Sequence, residues 1–141
     1  MHVGHVEDER LPAETYDAVI STSTFEHIPD PVRNIHHLLR LVRPDGTLYV
    51  AGMPNYGSVA VRLGLSSFHH NNPPFHANFF TPRTLRAVFA RPEVAAYVGS
   101  LRIRTYGVPE AHRLYNLAVA RRRGSSATPA KGTGSRQGAL A

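Results

Sequence analysis

Tyr16-Asp17-Ala18-Val19-Ile20-Ser21, then Asp30-Pro31, then Thr47-Leu48-Tyr49-Val50-Ala51: these pieces of the chain decide its fold. The first is a short apolar run between turn-type residues, the mark of a strand buried on both faces in a parallel sheet. Asp30-Pro31 is a helix start, with Asp as N-cap and Pro at the first helical position. Val32, Ile35, Leu38, Leu39 and Val42 follow at helical spacing and form one apolar stripe. Arg40 and Arg43 fall in the last turn, where cations favour the helix dipole. Pro44-Asp45-Gly46 stops the helix, and Thr47–Ala51 reads as a second buried strand. Strand, helix and strand with short links make a right-handed parallel crossover, so the class is α/β.

Outward from this unit the rhythm changes. Residues 52–80 hold Gly52, Pro54, Gly57, Gly64, Pro73 and Pro74, with one short helix expected around Ser58 to Leu65. A connection of that length in a compact domain is usually a lid or a binding loop. Thr81-Pro82 repeats the cap-plus-proline signal, and Leu85, Val88 and Phe89 mark a second helix that ends at Arg91-Pro92. Leu101, Ile103 and Thr105 alternate with Arg102, Arg104 and Tyr106, as in a strand with one wet face. Leu114 to Ala120 is a further strand. The Gly107–Arg113 link is too short for a helical crossover, so these two strands pair antiparallel.

At 141 residues the chain has room for one domain with a modest core. It has no cysteine, which excludes disulfides and thiolate metal sites and fits a reducing, cytoplasmic setting. No stretch reaches the ~18 apolar residues that a membrane span needs. Residues 1–10 carry His, Glu and Asp where a signal peptide has its apolar run. The net charge of +6 is unevenly spread. Residues 121–141 hold five basic side chains and no acid, whereas the first 120 carry 11 basic and 10 acidic groups. The expected organisation is a domain over residues 1–123 and a disordered tail over 124–141, with almost nothing apolar in the tail to bury. A tail of this kind binds phosphate weakly and without sequence preference, so no specific nucleic-acid partner is expected.

The order of these segments resembles the second half of the class I S-adenosylmethionine-dependent methyltransferases, in a subgroup of ubiquinone-biosynthesis type. Leu11-Pro12 with Tyr16-Asp17-Ala18-Val19 resembles that family's LP…FDVV approach to its fourth strand. Phe25-Glu26-His27-Ile28-Pro29-Asp30-Pro31 resembles LEHLPDP, and Leu39 to Leu48 resembles LLRLLKPGGRL. Met53-Pro54-Asn55 is similar to a following VPN. Pro73-Pro74-Phe75-His76 with Phe80-Thr81-Pro82-Arg83-Thr84-Leu85 is similar to PPRH…FTPRSL. The resemblance covers roughly residues 4–120. It implies a partial Rossmann-like sheet made of the fourth to seventh strands, the last one antiparallel, with flanking helices. The family's glycine-rich cofactor loop and the acid after its second strand have no counterpart in this sequence, so three strands and their helices are expected to be absent.

The resemblance also implies a cofactor, S-adenosylmethionine, and places residues around it. His5 and Val6 align with a pair that reaches the adenine, with His5 standing where the family has an acid. Backbone at Ser21 and Thr22 is implied to touch the cofactor, a simple turn being the alternative. Methyl transfer needs alignment of donor and nucleophile and, where necessary, removal of a proton. His27 is the candidate base, just past a parallel strand where open α/β sheets bind ligands. The alternative for Glu26-His27 is to order the loop and cap the following helix, a structural or pocket-lining role. His69, His76, Phe79 and Phe80 are candidates for the wall of a site for a small-molecule acceptor. Three imidazoles can bind zinc, but residues 66–80 contain no carboxylate and adjacent histidines seldom point at one ion, so no metal is expected. A second reading is a non-catalytic binding or assembly module. A sheet whose first strand here lacks its neighbour exposes an apolar edge, and self-association or a partner chain would cover it.

Overall fold

The computed structural model describes residues 11–64, 75–108 and 113–124. The elements run β1 (Tyr16–Thr22), a single 3-10 turn (Phe25–His27), α1 (Pro31–Leu41), β2 (Val42–Pro54), α2 (Val59–Arg62), α3 (Pro82–Phe89), α4 (Pro92–Ala95), β3 (Val98–Val108) and β4 (Arg113–Arg122). They build a four-stranded sheet of order β1-β2-β4-β3. β1 and β2 are parallel, whereas β4 runs antiparallel to both β2 and β3. The fold is therefore α/β with a mixed sheet, as expected.

Local chemistry accounts for the element ends. The Asp30 carboxylate accepts the Arg33 amide at 3.0 Å with Pro31 opening α1. Thr81 and Thr84 form a reciprocal capping box at the start of α3. Ser58 caps α2, which is shorter than the helix expected over residues 58–65. The carbonyls of Arg40 and Leu41, which α1 cannot use itself, accept the amides of Glu14 and Thr15. Pro92 opens the short helix α4 immediately after the predicted stop. Pro44-Asp45-Gly46 lies inside the long β2 as an irregularity: the pairing jumps from Tyr16–Val42 to Ala18–Thr47. Asp45 takes a left-handed φ of 64° there. A Cβ on Gly46 would stand 2.7 Å from Val42 Cγ1 and 2.8 Å from the Asp17 carbonyl, so only glycine fits.

The stripe of α1 packs as its spacing predicts. Ile35, Leu38, Leu39 and Val42 are buried with Leu48, Val50, Ala118 and Ala120 of the sheet and with Leu85, Phe89 and Val94 of α3 and α4. The registers align Val19, Leu48, Ala120 and Leu101 in one row, and Ser21, Val50, Ala118 and Ile103 in the next, all on this face. The expectation that β1 and β2 are buried on both faces is corrected. Ile20 is 71% exposed and Tyr49 is 38% exposed. The described helices that contribute to the core do so on one face only, so the alternate residues of each strand face outward.

Charge does structural work at the far end of β4. Arg122, counted in the basic excess, is buried. Its guanidinium donates to the Val42 carbonyl, pairs with Glu14 at 2.5 Å and lies over the Tyr97 ring. Residues 125–141, which carry the rest of the expected tail, lie outside the described residues.

Candidate functional site

The C-terminal ends of β1 and β2 meet at a close backbone crossing. Ser21 is buried on the core side, whereas Thr22 is exposed. Ser23 follows with φ of 49°, and its amide donates to the Ala51 carbonyl at 3.0 Å. Gly52 has φ of 84°, and a Cβ there would stand 2.5 Å from Ser23 Oγ. The Gly52 amide in turn donates to Tyr106 Oη at 3.1 Å. Two left-handed residues at one crossing form a rigid shelf, and backbone strain of this kind clusters at ligand sites.

Beyond the shelf the 3-10 turn carries Phe25, Glu26 and His27. Phe25 and Glu26 are buried, and His27 is exposed. Residues 75–80 close over this turn. The Glu26 carbonyl accepts the amides of Ala77 and Asn78 at 2.7 and 3.0 Å. Asn78 Nδ2 donates to the carbonyls of Phe25 and Ile28. His27 Nδ1 lies 2.6 Å from the Phe75 carbonyl. A carbonyl can only accept, so in neutral His27 the proton sits on Nδ1 and Nε2 keeps its lone pair. His76 packs edge-on against His27 with ring centroids 5.0 Å apart. One ligand atom each from Glu26, His27 and His76 falls within 4.8 Å of the other two.

The profile of a methyltransferase-domain family matches residues 1–92. The chain belongs to that family. Its fold is similar to that of a SAM-dependent methyltransferase from Thermotoga maritima, at TM-score 0.61 and 16% identity over 84% of this chain and 61% of that one. It is also similar to a SAM-dependent methyltransferase from Methanosarcina mazei, at TM-score 0.57 and 15% identity over 87% and 66%. A third similar structure is the Haloferax volcanii complex of a methyltransferase activator with a methyltransferase, at TM-score 0.59 and 16% identity over 86% and 61%. The chain thus spans under two thirds of the length of each. No curated protein matches this sequence.

The methyltransferase fold takes S-adenosylmethionine as its cofactor. Ser21 and Thr22, the expected cofactor contacts, form with Ser23 the shelf held against Gly52 at the strand ends. The chain supplies no G-x-G-x-G loop anywhere in the 141 residues. His5 and Val6 lie outside the described residues, as does His69. His27 and His76 come together, although 48 positions separate His27 from Phe75, whose carbonyl meets its ring. The aromatic pair splits. Phe79 is exposed and packs edge-on to Tyr56 at 4.5 Å, whereas the Phe80 ring is in the core and its carbonyl accepts from Asn116 and Tyr56.

Two features of the candidate site were not singled out from the sequence. Glu26 was expected to act with His27 in ordering the loop or lining the pocket, and its carboxylate is buried with Oε2 unpartnered among the described residues. Asn78 ties the loop to the turn, and nothing in residues 75–80 marks it out before the fold is known. A cavity of about 560 Å³ also lies between α1, α3 and α4. Its lining of Asp30, Arg33, His36, Arg91 and Glu93 includes none of the strand-end residues.

Proposed function

We propose that this chain is the acceptor-side portion of a methyltransferase that moves the methyl group of S-adenosylmethionine to a small-molecule acceptor. One observation carries the reading: the shelf at Ser21–Ser23 and the His27–His76 pair share the C-terminal ends of two parallel strands, where open α/β sheets bind ligands. The sulfonium methyl is already activated, so the protein must hold the acceptor in line and accept its proton. His27 Nε2 is the group for that proton, because the Phe75 carbonyl holds the opposite tautomer position. Exposed Phe79 and half-buried Tyr56 offer an aromatic surface to the acceptor. A cytoplasmic setting agrees with the lack of cysteine.

The experiment is transfer of labelled methyl groups into a panel of small-molecule acceptors. It compares the chain alone with the chain plus a polypeptide bearing a strand and a glycine-rich loop. We expect no transfer and no detectable calorimetric binding of S-adenosylmethionine by the 141 residues alone, and transfer by the pair. His27→Gln in the pair lowers kcat by about 10²–10⁴-fold if the imidazole takes the proton. Micromolar binding of the cofactor by the chain alone, or full activity in His27→Gln, overturns this assignment.

A specific observation favours a second reading, that of an assembly module. β1 lies at the edge of the sheet among the described strands, and Ile20 projects into solvent from it. A partner chain, or a second copy, fits that edge. Sedimentation equilibrium of the chain alone tests self-association, and a monomer at all concentrations leaves only a different partner.

A further inference from the structure

We propose that Glu26, His27 and His76 form a binding site for a divalent transition-metal ion of the zinc class. The Phe75 carbonyl requires the proton on His27 Nδ1, so Nε2 is an acceptor, and it lies 3.8 Å from Glu26 Oε1. Glu26 is 3% exposed, and its Oε2 finds no partner among the described residues. His76 Nδ1 is buried and also unpartnered. Ligand atoms of Glu26, His27 and His76 therefore converge within 4.8 Å of one another. Leaving buried polar atoms unpaired is costly, and lone pairs facing one another repel. A cation at their common centre removes both costs.

The donor set suits zinc. Two imidazole nitrogens and one carboxylate are a recurrent catalytic zinc set, which leaves a fourth position for water or substrate. Ligands at about 2.0–2.1 Å from a tetrahedral ion stand about 3.4 Å apart, so loading draws the side chains inward by less than about 1 Å each. The outer contacts match as well. A metal-bound histidine normally donates its other N–H to a carbonyl or carboxylate, as His27 Nδ1 does to Phe75. The Asn78 and Ala77 bonds to the turn fix the loop that delivers His76. His27 keeps its side chain 46% exposed, which leaves an approach for the ion from solvent.

The site shares the mouth of the methyl-transfer site but does not depend on it, because an ion can bind with no cofactor present. Cation binding and proton acceptance use the same Nε2 lone pair. In the loaded state the ion, and not His27, would lower the pKa of an acceptor hydroxyl.

Calorimetric titration of the chelator-treated chain with Zn²⁺ tests the site, with the visible spectrum of bound Co²⁺ as a second reading. We expect a site whose affinity falls at least tenfold in Glu26→Gln and in His76→Gln, and stays unchanged when His36 and His37, or His69 and His70, become Gln. Equal affinity in the wild type, Glu26→Gln and His76→Gln overturns the proposal. So does loss of binding in either control pair with the site intact. Glu26 is buried and its substitution can unfold the chain, so His76→Gln, in a half-exposed segment, carries the decision alongside a circular dichroism melt of the metal-free protein. Zinc bound normally by a chain whose reconstituted pair transfers no methyl group would defeat the methyl-transfer reading and leave this one standing.

Discussion

Alternate residues of the same strands build the two faces of this sheet, and the two faces obey different rules. Leu48, Val50, Ala118 and Ala120 are buried under α1, α3 and α4. Their immediate neighbours form the row Ile20, Tyr49, Val119 and Arg102, which no described helix covers. The composition of the open row differs only in part: it ends in arginine at β3 but remains apolar at β1 and β2. A face built for water would be polar throughout. The apolar half of the open row is therefore the surface that a covering element or partner would use, and the covered face is what holds the chain together meanwhile.

That contrast can be broken by experiment. The largest effect is expected on the covered face. Leu48→Ala should cost about 2–5 kcal/mol in denaturant unfolding, whereas Ile20→Thr should stay within about 0.5 kcal/mol. A large loss for Ile20→Thr would mean that this face is covered in solution. Gly52→Ala comes next, at about 1–3 kcal/mol, because the new Cβ meets Ser23 and the backbone φ is left-handed. A neutral result would show that the shelf between β1 and β2 yields.

The smallest effect is a pH dependence from the covered layer. His36 packs against Tyr97, and burial, then His37 and Arg40, hold its pKa below 6.5, with Glu93 opposing. The unfolded chain thus takes up a proton on this residue before the folded one does. Stability from His36 is complete above pH 6.5 and is lost as the pH falls from there through the lowered folded value. Thermal melts between pH 7.5 and 5 should show a decline that His36→Gln reduces; identical slopes would mean that the helix layer leaves this ring solvated.

Much of the fold was legible because its signals are local. The Asp30 and Thr81 caps act over a few residues, and the α1 stripe depends only on the helical period. The antiparallel pairing of β3 and β4 followed from a short link. The candidate site was legible in halves. Glu26-His27 and Phe75-His76 stood out as motif pieces, but nothing local joins them. Their union comes from Asn78 and two amides bonding back to the turn. For the same reason the carboxylate missing from residues 66–80 had no visible source, since Glu26 reaches the cluster across the fold.

The sequence by itself determined the type and order of the main strands and helices, the starts of α1 and α3, and that they follow the order of a methyltransferase domain. Each of those properties depends on neighbours a few positions away. Only the tertiary structure decided that β1 and β2 bury one face and not two, that Arg122 is a buried clamp, and that Phe80 packs inward while Phe79 does not. The same holds for the meeting of Glu26, His27 and His76. These outcomes depend on which elements come to cover a surface. An apolar run of six residues reads alike whether one face or both will be covered, so its pattern cannot carry that information.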